Sequence, residues 1–385
     1  MKRIFIIQNT PLNAPLPLSV YLTGLLKNIK KNKDFEINLI VGKSESITAE
    51  IKRLCKKIYE FNASTYSIKD NFNFSFYAKK ILKKENKERK IDIVHCFYPN
   101  SSLLGAVLFK VFNNYKTKIV YDVRSPWIEM SIERGFINKN VAGLYKFVLY
   151  KEEKYLCKFV DSFMIITDGL VCYYRKKIKI KPSQRVYVSP SGVDLKMFKR
   201  VKTNIREKYG IKNDEILIGS VGGIAKIRKL EDFLDLFREA VNKNNKLKLM
   251  FVGEGDSLSE IKKKVNALNL KKNVIFVGKV PHKEVPKYMS VFDFGLCHLP
   301  NIFIYENSVP LKILEYLSCV VPVLASKLKT HEELSKKLKG IFVYHDAKDI
   351  LRFTKTKTKV EKQNMDEFQW SSIAKVYERM WEKVL

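Results

Sequence analysis

Two glycines followed by a run of cations carry the clearest chemistry in this sequence. Gly222 and Gly223 close the apolar run Ile216–Val221 and lead toward the helical pattern Asp232–Ala240. A glycine turn between a strand and a helix lets backbone N–H groups approach a phosphate closely. Lys226, Arg228 and Lys229 follow that turn, and a phosphate needs cations or amides of this kind around its oxygens. The plainer reading is an ordinary βα turn. Two residues of the first half also stand at strand ends. His95 lies at the end of Asp92–Cys96, and Arg124 follows Lys118–Asp122 within Val120-Tyr-Asp-Val-Arg-Ser-Pro-Trp127. Strand ends of parallel sheets are where α/β proteins hold ligands. The plainer reading of Arg124 is an ion pair with Asp122 or Glu129, and that of His95 a satisfied, half-buried ring. The sequence contains no Asp-x-Asp, no His-Glu-x-x-His and no clustered His/Cys spacing, so no metal site is expected.

Short β-rich runs alternating with helical patterns must position these residues, which is the signature of parallel α/β folds. The first half offers strands at Ile4–Gln8, Glu36–Val41, Asp92–Cys96, Lys118–Asp122 and Ser162–Thr167. A second series runs through Ile216–Val221, Lys248–Val252, Val274–Val277, Phe294–His298, Val323–Ala325 and Ile341–Val343. Both read as open, doubly wound sheets. The expected division is 1–180 for a first domain, 181–365 for a second and 366–385 for a terminal helix, with a linker at Lys179–Ser183 around Pro182. In that last helix, capped by Ser371 or Ser372, Ile373, Val376, Tyr377, Met380, Trp381 and Val384 recur on one face, so it must dock on something.

Composition bounds the rest. A chain of 385 residues, 46% hydrophobic and 29% charged, is too apolar for a disordered protein and long enough for two cores. No run of apolar residues is long enough to span a membrane, and the start Met-Lys-Arg-Ile-Phe-Ile-Ile-Gln reads as a first strand rather than a secretory leader. The six cysteines show no paired spacing, which suits buried thiols in a reducing cytoplasm. The formal net charge of +32 predicts attraction to polyanions. No nucleic-acid-binding motif is present and the basic residues are not confined to one segment, which argues against nucleic acid. Phe72, Phe74, Phe76 and Tyr77 run into Lys79, Lys80, Lys83 and Lys84, and Tyr173 and Tyr174 run into Arg175, Lys176 and Lys177. Aromatics beside cations suit an anionic bilayer surface, and the plainer reading is a helix with a solvated basic face.

Four segments of the second half occur in an order that resembles the retaining GT-B glycosyltransferases of family 4. They are Val188-Ser-Pro-Ser-Gly-Val-Asp-Leu-Lys-Met-Phe198; Ile218-Gly-Ser-Val-Gly-Gly223; Leu249-Met-Phe-Val-Gly-Glu-Gly-Asp256 with Val274–Val280; and Pro310-Leu-Lys-Ile-Leu-Glu-Tyr-Leu317 closing with Val321–Ser326. Phe368-Gln-Trp370 and the final helix resemble the family ending. The resemblance implies two facing Rossmann-like domains, with that helix crossing back onto the first. It implies transfer of a sugar, with retention and without a metal, from a UDP- or GDP-linked donor to an oligosaccharide or lipid-linked acceptor. No cofactor is implied beyond this nucleotide-sugar substrate. The expected location is cytoplasmic, peripheral on the inner face of the cell membrane.

The resemblance also assigns residues. Gly222, Gly223, Arg228 and Lys229 would cradle the diphosphate, with Lys226 a substitute cation. Glu315 would accept hydrogen bonds from the ribose, since a carboxylate can accept from both hydroxyls of a diol; Pro310 and Lys312 flank it. Arg228, Arg124 and His95 are the catalytic candidates, the first two at the leaving diphosphate. The chain departs from the family at two positions. Asn307 stands where a first Glu is expected, leaving that role to Glu306 or Asn307, and Val320 stands where a Gly is expected. The loop Gln8–Ser19 carries Pro11, Pro15 and Pro17 in place of a Gly-rich acceptor loop. An epimerase-like relative or an inactive scaffold remains the alternative.

Overall fold

Buried parallel strands need apolar residues on both faces, and the runs identified above meet that need. A computed structural model describes residues 1–12, 17–29, 34–45, 47–62, 67–112, 116–355 and 360–385. Part of the proline loop, including Pro15, lies outside the described residues. The chain divides into two compact units, Met1–Gly192 with Trp370–Leu385, and Val193–Gln369.

The first unit runs β1 (Lys2–Pro11), α1 (Pro17–Asn28), β2 (Phe35–Gly42), α2 (Ala49–Leu54), β3 (Lys57–Phe61), α3 (Ile68–Glu88), β4 (Ile93–Phe97), α4 (Asn100–Val111), β5 (Lys118–Val123), α5 (Trp127–Glu133), α6 (Ala142–Leu156), β6 (Ser162–Ile165), α7 (Asp168–Ile178) and β7 (Arg185–Val188). Its seven strands pair in parallel in the order β3-β2-β1-β4-β5-β6-β7. Right-handed crossovers then put α1 and α2 on one face and α3 to α7 on the other.

The second unit runs α8 (Ile205–Lys208), β8 (Ile216–Val221), α9 (Leu230–Lys243), β9 (Leu247–Val252), α10 (Leu258–Ala267), β10 (Val274–Gly278), α11 (Val285–Met289), β11 (Phe294–Cys297), α12 (Phe303–Glu306), α13 (Leu311–Ser318), β12 (Val323–Ser326), α14 (Lys329–Lys337), β13 (Ile341–Tyr344) and α15 (Ala347–Lys355). Its six parallel strands are ordered β10-β9-β8-β11-β12-β13. Its two ends close on each other where Val193 N–H donates to Phe368 O at 2.7 Å.

The final helix, α16 (Trp370–Val384), belongs to the first unit, where it packs on α1. Ile373, Tyr377, Met380 and Trp381 are almost wholly buried there, each worth about 1.5–3 kcal/mol by area. The indole of Trp370 enters against Gly24 and Gly192; a Cβ on those glycines would lie 2.3 and 2.5 Å from its ring.

The division differs from the expected one. Lys179–Ser183 is not the linker: it leads into β7, which pairs with β6, and the Gln184 amide donates to the carbonyls of Cys157 and Val160. The boundary falls at Gly192 and Val193 instead.

Candidate active site

In the second sheet the strand order reverses between β8 and β11, so the crevice at their carboxyl ends is the natural ligand position. β8 is followed directly by Gly222, whose φ of 113° few side chains tolerate. Gly222 N–H donates to Val252 O at 2.9 Å. A Cβ on Gly253 would lie 2.1 Å from Gly222 O, so the two loops approach backbone to backbone only because position 253 is glycine. Gly222 and Gly223 themselves are exposed. Lys226 to Arg228 form a 3₁₀ turn, and Lys229 takes the left-handed conformation at φ 46° before α9 begins. That geometry folds Arg228 back: its Nη1 lies 3.3 Å from where a Gly222 Cβ would be.

Helix α13 supplies the other wall. Tyr316 fastens it, accepting Val221 N–H at 2.9 Å and donating to Gly219 O at 2.9 Å. Its ring lies over Gly295, where a Cβ would come within 2.4 Å. Pro310 caps α13 without a side-chain hydrogen bond, leaving first-turn amides for an anion. One turn before Tyr316, Lys312 is 9% exposed and its Nζ is buried with no hydrogen-bond partner. Burial lowers its pKa to about 8, opposed by the negative charge of Cys297 and Glu315 and reinforced by Arg228. Glu315 is half-buried on α13; burial pushes its pKa up to about 7 against the pull of Lys312. At the end of β11, Cys297 Sγ lies 3.6 Å from His331 Nε2, and His331 Nδ1 donates to Ser326 O at 2.7 Å. Burial opposes the Cys297 thiolate, but His331, Lys312 and Arg228 bring its pKa below the ordinary thiol value.

A buried ammonium without an acceptor is costly. Here it sits at a helix start, within electrostatic reach of an arginine that covers a glycine turn. The arrangement can bind a multiply charged anion and is poorly satisfied without one.

The first half of the chain, residues 18–197, matches the family described as Glycosyltransferase Family 4, and residues 201–374 match Glycosyl transferases group 1. The chain belongs to the group 1 glycosyltransferases of GT-B fold. Curated relatives include an alpha-monoglucosyldiacylglycerol synthase of Streptococcus pneumoniae, 27% identical over 45% of this chain and 40% of that protein. An N-acetyl-alpha-D-glucosaminyl L-malate synthase of Bacillus anthracis is 25% identical over 70% of this chain and 65% of its own length. The chain thus spans under two thirds of either relative. Among solved structures, sucrose-phosphate synthase of Thermosynechococcus elongatus superposes with a TM-score of 0.74 at 15% identity, covering 100% of this chain and 99% of that one. Anabaena HepE in complex with UDP gives 0.71 at 14% identity, covering all of both chains.

In this group 1 glycosyltransferase the expected donor-site residues of the second unit divide by surroundings. Gly222, Gly223, Arg228, Pro310, Lys312 and Glu315 surround the end of β8 and the start of α13. Lys229 is exposed beside the turn. Lys226 is otherwise engaged, its Nζ 2.8 Å from Glu260 and its amide donating to Asp256. Asn307 is buried with its amide turned back to Phe303 O at 2.8 Å, whereas Glu306 is half-buried at the end of α12. Val320 holds φ 59°, the left-handed conformation that glycine takes freely.

Arg124 and His95, the catalytic candidates of the first half, are both engaged with side chains of the first unit. Arg124 is 6% exposed. Its Nε donates to Asp122 at 2.7 Å, Nη1 to Ser189 O at 2.7 Å and Nη2 to Tyr377 Oη at 2.8 Å, with its guanidinium 4.0 Å from the Tyr21 ring centroid. His95 is wholly buried. Trp381 Nε1 donates to its Nδ1 at 3.0 Å; an indole can only donate, so the proton is on Nε2, which faces Asp122 at 3.2 Å. Burial opposes the Asp122 charge, yet Arg124, His95 and Tyr377 hold its pKa below the ordinary value. These groups clamp α16 to β4 and β5. The ion pair with Asp122 was the plainer reading of Arg124; its bonds to Tyr377 and Ser189 had no signal in the sequence.

Sequence reasoning also missed Cys297 and His331. The available signal was only that Cys297 ends a strand, since 34 positions separate it from His331.

Proposed function

We propose that this chain transfers a sugar from a UDP- or GDP-linked donor to a glycan or lipid-linked acceptor, with retention and without a metal ion. The observation that carries the reading is the unpartnered, buried Lys312 ammonium at the start of α13, beside Arg228 and the Gly222 turn. A diphosphate supplies the acceptors that Lys312 lacks. Arg228, Lys312 and the amides of the turn and of α13 then meet the charge that grows on the leaving diphosphate, the main demand of this chemistry on the protein. Glu315 accepts from the ribose hydroxyls. Glu306 takes the first-carboxylate role, because the Asn307 amide is committed to its own helix. The products named for the relatives, a monoglucosyldiacylglycerol and an N-acetylglucosaminyl malate, support an acceptor class that includes lipids.

The test is calorimetry with UDP-, GDP- and ADP-sugars in the presence of a chelator, followed by product analysis. One nucleotide should bind and raise the apparent stability, and the glycoside should keep the donor's anomeric configuration by NMR. Donor binding that needs added metal, or an inverted product, refutes the corresponding part of the proposal. Recovery of an isomerised nucleotide sugar would assign the epimerase reading instead.

A further inference from the structure

We propose that the face of the first unit carrying α3 to α7 docks on an anionic phospholipid bilayer, with α6 as its centre. Large apolar side chains exposed among the described residues gather here. All but Met1, Val188, Phe303 and Leu385 lie between Ile68 and Tyr155.

Helix α6 is apolar on two sides. Its inner side buries Leu156 and the Glu153 carboxyl. On the outer side Leu144, Phe147, Val148 and Tyr155 are 69, 60, 52 and 57% exposed. Positions 144, 147, 148, 151 and 155 fall on one stripe at 3.6 residues per turn. A helix that shows water a stripe of Leu, Phe, Val and Tyr has a second apolar phase to meet.

The charges in and around the stripe are cationic and lie on its rings. Lys151 Nζ is 5.3 Å from the Phe147 centroid and Lys158 Nζ is 5.4 Å from Tyr155. The last turn of α7 brings Arg175, Lys176 and Lys177, all exposed, and Lys177 Nζ lies 4.3 Å from the Tyr150 ring. Burial raises the pKa of Glu152, which weakens an acidic interruption on the flank. Long lysine stems can lie along acyl chains while their ammonium groups reach lipid phosphates.

Helix α3 repeats the pattern on the same side of the sheet, since α3 packs on α4, α4 on α6 and α6 on α7. Ile68, Phe72 and Phe76 are exposed at four-residue spacing, and Lys79 Nζ lies 4.3 Å from the exposed Phe112 ring. Phe72 and Phe76 stack edge to face at 4.9 Å.

Charge selects the occupant. A second copy of a chain with net charge +32 would set like charge against like around the rim. Nucleic acid would satisfy the lysines and leave Leu144, Val148 and Ile68 unmet. A bilayer with acidic headgroups satisfies both kinds of group at one depth. Docking through this face is independent of which donor the second unit binds.

The test is co-sedimentation of the full chain with vesicles of phosphatidylcholine, or of phosphatidylcholine mixed with phosphatidylglycerol, at low and high salt. Binding should require phosphatidylglycerol and weaken with salt. Phe147→Ser with Val148→Ser, and separately Lys151→Glu with Lys158→Glu, should each weaken partition about tenfold or more, leaving thermal stability and nucleotide binding unchanged. Phe147→Trp should show a blue-shifted emission on the acidic vesicles. The proposal is overturned by absence of wild-type binding, by wild-type partition of the Ser variant, or by an unshifted tryptophan. It is also overturned if the lipid-free chain forms a dimer that the Ser variant abolishes, which would assign the face to a second copy.

Discussion

The Tyr316 hydroxyl takes the amide hydrogen of Val221 and returns its own to Gly219, both at 2.9 Å. One side chain thereby sets the distance between α13, which carries Lys312 and Glu315, and the strand that ends in the Gly222 turn. Tyr316→Phe keeps the ring over Gly295 and leaves two buried backbone groups unpaired. Denaturant unfolding should show a loss of about 1–3 kcal/mol, and nucleotide affinity should fall because the two walls are no longer in register. Wild-type affinity in a destabilised variant would show that this spacing does not matter to the site.

Lys312→Met separates stability from binding. It removes a buried ammonium that has no acceptor and replaces it with an apolar chain of similar length. The ligand-free variant should melt at a higher temperature than wild type, yet bind the nucleotide diphosphate at least about tenfold more weakly. A lower melting temperature would mean that the ammonium is satisfied in solution.

The pH dependence follows from two opposed shifts. Glu315 is raised from 4.5 to about 7, so the folded chain holds its proton more tightly than the unfolded chain. The stabilisation this gives is complete below about 4.5 and is lost as pH rises through about 7. Lys312 is lowered from 10.5 to about 8, so its contribution is present above the ordinary lysine range and is lost as pH falls through about 8. Ligand-free stability should therefore be weakest between these two values. Glu315→Gln should flatten the acid limb of the profile and Lys312→Met the alkaline limb. Diphosphate binding near pH 8 should take up a proton, measurable by calorimetry in buffers of different ionisation enthalpy.

Val320 occupies the left-handed region at φ 59°, where a β-branched side chain is strained. Val320→Gly should stabilise the chain by about 1 kcal/mol after the entropy lost with glycine is set against the relieved strain. A destabilised variant would show that packing of the Val320 side chain outweighs the strain.

Trp381→Phe should leave the buried His95 Nδ1 without its donor and cost about 1–3 kcal/mol beyond the change in packing. Deleting α16 from Trp370 onward should do far more. It exposes the α1 side of the core and strips Tyr377 from Asp122 and Arg124. Urea titrations of the two variants check both outcomes.

Much of the architecture was legible because central parallel strands and amphipathic helices write themselves as local periodicity. Every strand expected from the sequence is present, with ends displaced by at most three residues. The strands that escaped, β3 and β7, are the outermost of the first sheet, half-buried and mixed with Lys, Glu and Arg. An edge strand can carry charge, so composition does not announce it. The domain boundary was misplaced for the same reason, because Arg185–Val188 does not look like a core strand. Arg124 does follow the end of β5, but His95 lies at the middle of β4 rather than at its end, and position along a strand does not say whether a side chain meets solvent or a helix arriving from far along the chain.

The order of strands, helices and glycine turns was determined by the sequence itself, since each depends on neighbours within about one helical turn or a few strand positions. So was the need for α16 to dock, from its wide apolar stripe. Which polar groups find partners was decided only by the tertiary structure. Trp381 meets His95 and Tyr377 meets Arg124, whereas Lys312 is left buried beside Arg228 and Glu315. Those relationships join residues far apart in the chain, and the cost of burying charge depends on what the fold brings within hydrogen-bond reach.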